Sequence, residues 1–167
     1  MSRRVKLIGC LLGAILFLDQ ATKLIVDRTI PLHHSISVIE SFFNLTHIRN
    51  TGAAFGILAG SNKIFRTSFL ILFSIFAMAF IIMLLRRLAD NETVLTVALA
   101  FILGGALGNL IDRLLYGEVI DFLDFYWSRF HWPAFNFADS FITVGVMLSL
   151  YRLITAKGTD PFARAAD

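Results

Sequence analysis

Four apolar windows dominate the chain, at about residues 5–26, 64–85, 93–115 and 136–151. A helix that spans the hydrocarbon core of a bilayer needs about 20 mostly apolar residues. Each window is close to that length, so the pattern predicts four transmembrane helices. We expect the whole chain, residues 1–167, to form a single integral membrane domain.

The two longer segments between these windows have different patterns. From residue 36 to 48 the sequence partly alternates, with Phe43, Leu45 and His47 on one face of an extended strand, which is typical of a small β-sheet. The segment 122–133 is rich in aromatic residues, and Trp and Tyr favour the membrane interface. We therefore predict an all-α membrane protein of four transmembrane helices, with a small extracytoplasmic β-sheet and an interfacial helix or lid.

Composition supports the membrane class. Hydrophobic residues make up 57% of the chain and charged residues 16%, with a mean hydropathy of +0.74, whereas soluble domains average about 25% charged residues. The net charge of +3 is spread over the ends of the apolar windows rather than collected in one patch, which argues against nucleic acid as a partner. A single cysteine excludes an internal disulfide.

Lys and Arg residues flank the windows unequally, and this bias predicts orientation. Eight of them lie before or at the start of the first window, after the second and after the fourth, whereas four lie in the other flanking segments. The bias predicts both termini in the cytoplasm, with residues 27–63 and 116–135 outside.

Apart from Lys6 at the start of the first window, the charged residues inside the windows fall at the predicted outer side. With this orientation, Asp19 and Lys23 lie in the outer half of the first helix, Asp112 and Arg113 at the outer end of the third, and Asp139 at the outer start of the fourth. Ionisable residues near hydrocarbon are costly and therefore usually functional. Their convergence from three helices at one depth predicts a site that opens at the outer face.

The available side chains narrow the chemistry of that site. The sequence contains neither the GxSxG turn typical of one class of serine hydrolase nor the HExxH pattern of zinc peptidases. Lys23 has Asp19 one helical turn earlier as an ion-pair partner, which disfavours a neutral, nucleophilic lysine. Carboxylates remain, and we expect no metal ion or cofactor.

Two carboxylates can hydrolyse a peptide by sharing one proton and activating a water between them. Asp19 and Asp112 have basic neighbours in the sequence, whereas Asp139 and Asp121 do not. Asp139 is therefore a clear candidate. Asp121 is preferred only slightly over Asp124, which follows three residues later and would share a helical face with it.

Five short motifs in one order carry a family resemblance across residues 19–145. They are 19–23 (DQATK), 49–55 (RNTGAAF), 108–113 (GNLIDR), 119–122 (VIDF) and 135–140 (FNFADS). Together they closely resemble the bacterial lipoprotein signal peptidases (signal peptidase II).

The resemblance implies an aspartic endopeptidase of the bacterial inner membrane. Such an enzyme removes signal peptides from diacylglyceryl-modified prolipoproteins by cutting on the amino side of the lipidated cysteine. The resemblance also implies Asp121 and Asp139 as the catalytic pair. The implied partners are prolipoprotein substrates, membrane lipids and, as inhibitors, cyclic peptide antibiotics such as globomycin. The implied substrate-binding or supporting residues are Asp19, Lys23, Asn50, Gly52, Asn109, Arg113 and Asn136.

An alternative from another class is a small proton-coupled transporter or channel subunit. Intramembrane acids relay protons in such proteins, but a relay usually places charged groups along the whole path. Apart from Lys6 at the start of the first window, the predicted cytoplasmic halves of the windows carry none, which favours a site open to one surface.

Overall fold

Four long helices form the body of the computed structural model, which describes residues 2–52, 62–89, 91–156 and 161–162. All four helices are long and apolar enough to cross a membrane, which confirms the predicted four-helix class. The chain is thus a multi-pass membrane protein. The helices are α1 (Arg3–Thr29), α2 (Lys63–Arg87), α3 (Thr93–Tyr116) and α4 (Phe137–Thr155).

A small antiparallel sheet accompanies the helices, as the alternating pattern predicts. Its strands are β1 (Ser35–Ile39), β2 (Phe43–Asn50), β3 (Val119–Trp127) and β4 (Phe130–His131), in the order β1-β2-β3-β4.

The aromatic segment 122–133 supplies most of strand β3 and the β3–β4 hairpin, so the predicted interfacial helix is wrong there. The alternative of a lid stays a prediction. The aromatic residues of this segment are good strand formers when they can pack across a sheet. Phe125 lies opposite Phe43 of β2 in the ladder, and the two rings stack with their centroids 4.7 Å apart. Cross-strand packing therefore decided the conformation of a segment whose composition also suits an interface.

Helix α3 is the central helix of the bundle. Within the apolar window of α3, 61% of the residues are buried inside the protein, whereas 11% are buried in the window of α4. Glycines let α4 approach α3 closely, because a Cβ on Gly105 would clash with the Ala138 carbonyl oxygen, and one on Gly145 would lie 2.6 Å from the Ala98 carbonyl oxygen. Small residues at such contacts are typical of membrane helix packing.

The sheet lies at the end of the bundle where α1 and α3 finish and α4 begins. Helix α3 ends at Gly117, whose φ of 76° suits glycine and turns the chain directly into β3. Ile120 and Phe122 of β3 then pack against Val26 and Ile30 at the end of α1. This packing holds β3 beside the first turn of α4.

Candidate active site

A cavity of about 900 Å³ opens at the sheet end of the bundle. Asp121 reaches it from β3 and Asp139 reaches it from the first turn of α4. The two carboxylates that the sequence favours are therefore brought to one cavity by elements that start 18 residues apart (119 and 137).

The Asp121 carboxylate is held at both oxygens. It is 2% exposed, and its Oδ2 accepts a hydrogen bond from Asn50 Nδ2 at 2.9 Å while its Oδ1 accepts one from Asn136 Nδ2 at 2.7 Å. Burial, followed by the negative charge of Asp139, raises the pKa of Asp121 from 3.8 to about 7, against the opposing effects of the two amides and of Lys23. This carboxyl therefore keeps its proton far more readily than an exposed aspartate does.

The Asp139 carboxylate is fixed by the way α4 begins. Asn136 is the N-cap, and its side chain accepts a hydrogen bond from the Asp139 backbone N–H at 3.0 Å. In return, Asp139 Oδ2 accepts one from the Asn136 backbone N–H at 3.3 Å, which completes a capping box. The other carboxylate oxygen, Oδ1, accepts from Asn109 Nδ2 at 2.7 Å.

Two buried amides connect the carboxylates to each other. Asn136 Nδ2, which bonds Asp121, also lies 3.2 Å from the side-chain oxygen of Asn109, and Asn109 in turn donates to Asp139. Asn136 is completely buried, so water cannot readily replace its hydrogen-bond partners. The chain of contacts therefore fixes both carboxylates relative to one another.

A buried lysine, Lys23, is hydrogen-bonded to this amide network. Lys23 Nζ lies 2.9 Å from Asp19 and 2.9 Å from Asp112, and it donates to Asn109 Oδ1 at 3.0 Å. The predicted pairing of Asp19 with Lys23 is thus confirmed, and Asp112 joins it. Asp19 also accepts from the Ala138 backbone N–H at 2.9 Å, so the cluster ties α1 and α3 to the start of α4.

Sequence proximity is misleading for Asp112 and Arg113. Asp112 pairs with Lys23 of α1 and not with the arginine that follows it, and it also accepts from Gln20 Nε2 at 3.0 Å. Arg113 instead lines the cavity, where its Nη1 donates to the Asn109 carbonyl at 3.3 Å. Sequence reasoning did not assign a role to Gln20, although this residue lies inside the DQATK motif.

Asn50, the last residue of β2, and Gly52, in the loop that follows, contribute to the cavity wall. Gly52 donates its backbone N–H to Asn50 Oδ1 at 3.0 Å, so the Asn50 amide is oriented with its nitrogen toward Asp121. The remainder of the RNTGAAF motif, from Ala53 onward, lies outside the described residues.

Asp124, the rival of Asp121, lies in a different environment. Because both residues are on a strand, a separation of three places their side chains on opposite faces. Asp124 accepts from Asn44 Nδ2 at 3.0 Å and interacts with His131 Nδ1 at 2.8 Å. Its contacts thus belong to the sheet, and it is not among the cavity-lining residues.

Within the part of the chain that the structure describes, no three His, Cys, Asp or Glu side chains are grouped to hold a metal ion. Among the described residues, the charged side chains that line the cavity are those of Asp121, Asp139, Arg49 and Arg113.

Comparisons with known proteins point in one direction. A family model described as Signal peptidase (SPase) II matches residues 11–155. The lipoprotein signal peptidase of Desulforapulum autotrophicum is 48% identical over 161 residues, which cover 96% of this chain and 99% of that protein. The lipoprotein signal peptidase of Geobacter sulfurreducens is 54% identical over 133 residues, covering 80% and 82%.

Solved structures agree with the fold. A bacterial membrane enzyme determined by the in meso method has a TM-score of 0.81 and 33% identity, and the match covers 93% of this chain and 94% of that one. A second such structure has a TM-score of 0.80 at 35% identity.

Proposed function

This chain belongs to the signal peptidase II family and is a peptidase of the bacterial membrane, and from that premise we propose that Asp121 and Asp139 are its catalytic dyad. The proposed reaction is removal of the signal peptide from diacylglyceryl-modified prolipoproteins, by cleavage on the amino side of the lipidated cysteine. None of the relatives supports the transporter alternative.

The observation that carries the proposal is the common cavity. Asp121 and Asp139 both line it, and the Asn136–Asn109 amide network joins their carboxylates. Two close carboxyl groups disfavour double ionisation and therefore retain one proton between them. A pKa of about 7 for Asp121 keeps that singly protonated state populated near neutral pH.

In the proposed mechanism, the ionised carboxylate accepts a proton from a water molecule while the oxygen of that water attacks the scissile carbonyl carbon. The protonated carboxyl group hydrogen-bonds the carbonyl oxygen and so polarises the bond. As the tetrahedral intermediate collapses, the carbon–nitrogen bond breaks and a proton passes from the dyad to the leaving amine of the cysteine.

The surrounding residues have supporting roles in this proposal. Arg113 presents its positive charge at the cavity wall, where negative charge develops on the carbonyl oxygen. Asn50, Asn109 and Asn136 orient the carboxylates, and Gly52 fixes the Asn50 amide. Asp19 and Lys23 form an ion pair, and Asp19 connects α1 to the start of α4, which carries Asp139.

The membrane supplies part of the substrate positioning. We place the termini in the cytoplasm of a bacterial inner membrane, and the sheet and cavity at the outer leaflet, as the Lys and Arg bias predicts. A diacylglyceryl cysteine keeps its acyl chains in the lipid, so its peptide bond is held at the depth of the cavity. This tethering lowers the entropic cost of bringing the reacting groups together.

The same cavity is our proposed site for cyclic peptide antibiotics such as globomycin, which would compete with the prolipoprotein segment for the dyad. We also propose that residues 1–167 act as one peptidase domain, because the dyad, its amide network and the lysine cluster draw residues from α1, α3, β2, β3 and α4.

Cleavage of a synthetic diacylglyceryl-modified prolipoprotein by purified enzyme in detergent or lipid tests the proposal. Asp121→Asn and Asp139→Asn should each lower kcat by about 10⁴-fold, a loss typical of removing one member of a catalytic pair. Asp124→Asn is the matched control, since it alters a buried carboxylate of the same strand outside the cavity. It should keep kcat within about three-fold, a change of under 1 kcal/mol.

Folding of each variant is checked by thermal unfolding, and a chelator is added in a parallel assay. Full activity in either dyad variant would contradict the assignment. Inhibition by the chelator, reversed by adding a metal ion, would show that another chemistry operates.

A further inference from the structure

We propose that Arg49, held between Asp27 and Tyr116, is a positioning residue that keeps Asn50 on the Asp121 carboxylate. The inference rests on the proposed function of Asp121. Arg49 begins the RNTGAAF motif, but the family resemblance assigned it no role and the dyad mechanism does not use its contacts.

The arginine is bound by two other elements of the fold. Its Nη2 donates to Asp27 Oδ1 in the last turn of α1, and its guanidinium carbon lies 4.8 Å from the ring centroid of Tyr116, the last residue of α3. Arg49 is 20% exposed and Asp27 is 30% exposed, so water screens the ion pair only in part. An ion pair and a cation–π contact together therefore fix one residue of β2 against two helix ends.

A second residue of β2 supports the same anchor. His47 alternates with Arg49 along the strand and so shares its face. Its buried ring lies between α1 groups, with Nδ1 2.8 Å from the Ile30 carbonyl oxygen and Nε2 3.5 Å from Asp27 Oδ1. The face of β2 that presents Arg49 is thus attached to the end of α1 at two successive positions.

The anchored residue comes directly before the one that touches the dyad. Asn50 is the last residue of β2, where regular strand pairing ends, and it lies opposite Val119 in the ladder. Strand ends tend to fray when nothing else restrains them. A fixed Arg49 leaves Asn50 little freedom, so its Nδ2 stays 2.9 Å from Asp121 Oδ2.

Because Arg49 also lines the cavity, a direct contact with substrate is the competing explanation. The two explanations make opposite predictions for Asp27. If Arg49 binds substrate directly, Asp27→Asn should leave its charge free and keep or improve KM. If Arg49 positions Asn50, Asp27→Asn should reproduce the loss seen in Arg49→Ala.

The test is a double-mutant cycle on kcat, with the diacylglyceryl-modified substrate. We expect Arg49→Ala to lower kcat by about ten-fold, less than the ~100-fold that a full 1 Å misplacement can cost. Asn50→Ala should lower it at least as much, and the double variant should be no worse than Asn50→Ala alone. KM should change little in all three.

The pH profile provides a readout that general destabilisation would not move. The Asn50 hydrogen bond lowers the pKa of Asp121, against the raising effects of burial and of Asp139, so its loss should displace the alkaline limb of kcat/KM to higher pH. Arg49→Ala and Asp27→Asn should show the same displacement. Arg49→Lys, which keeps a charge for Asp27 but not the planar contact with Tyr116, should recover part of it.

Lys63→Ala serves as the control, because Lys63 pairs with Glu118 at 3.1 Å at the same end of the bundle. It should match the wild type in kcat and in pH profile. Additive losses in the double variant, or an Asp27→Asn variant with wild-type kcat and pH profile, would overturn the proposal. Activity in Asp121→Asn or Asp139→Asn would reject the proposed dyad. If those two variants are inactive but Arg49→Ala has the kcat of the wild type, only the positioning role of Arg49 is rejected.

Discussion

Replacing Asp121 by Asn should make the folded protein more stable at alkaline pH while it abolishes catalysis. Asp121 is 2% exposed, and its pKa rises from 3.8 to about 7 because it is buried and faces Asp139. The folded protein therefore binds this proton more tightly than the unfolded chain does. The stability that this provides is complete below pH 3.8 and is lost as pH rises through about 7.

The size of the effect follows from the pKa of Asp121 in the unfolded chain and its pKa in the folded protein. Each unit of difference between these pKa values corresponds to about 1.4 kcal/mol in the free energy of unfolding. Integrating the linkage relation from pH 5 to pH 8 with values of 3.8 and about 7 yields a loss of about 2.5 kcal/mol from this group. For a chain of this size that loss corresponds to roughly 5–10 °C in Tm.

The assay is thermal unfolding of the detergent-solubilised protein, for wild type and Asp121→Asn, at several values between pH 5 and pH 8. The difference in Tm, variant minus wild type, should grow steadily with pH. Asparagine keeps the shape of the side chain and retains an acceptor oxygen for one of the two neighbouring amides. Asp124→Asn should show no such growth. A Tm difference that is independent of pH would refute the argument that Asp121 is protonated near neutrality.

Three further results are expected. Lys23→Met should lower the free energy of unfolding by about 3–5 kcal/mol, since it leaves its two carboxylate partners buried without a cation; a Tm equal to that of the wild type would contradict this. Gly105→Ala should destabilise by about 1–3 kcal/mol because its Cβ would meet the Ala138 carbonyl oxygen, whereas Gly9→Ala, with open space around it, should not. Finally, kcat/KM of the wild type should fall as pH rises through about 7, where the pKa of Asp121 in the free enzyme lies; a flat profile from pH 6 to 9 would exclude a shared proton.

The helices could be predicted from local sequence because the bilayer imposes a local rule. A chain that crosses hydrocarbon must satisfy its backbone hydrogen bonds within each segment, so a long apolar run forms a helix whatever its neighbours are. The convergence of Asp19, Asp112 and Asp139 at one depth followed from counting residues along those helices. For this reason, the location of the site was available before any contact was known.

The choice between Asp121 and Asp124 was not available from spacing. It depends on whether the segment is a helix, which would place both acids on one face, or a strand, which separates them. Pairing of β3 with β2, whose paired residues lie 69 to 82 positions earlier in the chain, decides this. Sequence position preferred Asp121 only slightly, and the family resemblance then pointed to it.

Partners within the site were also decided by tertiary structure. Sequence neighbours suggested a pairing of Asp112 with Arg113, but the close approach of α1 and α3 brings Lys23 to Asp112 and leaves Arg113 at the cavity. The Asp27–Arg49 contact likewise joins residues 22 positions apart. Apolar patterning reflects the solvent around each segment and is therefore legible in the sequence. The hydrogen-bond and ion-pair partners of a buried polar group depend on which distant elements pack against it, and that is settled only when the helices and the sheet come together.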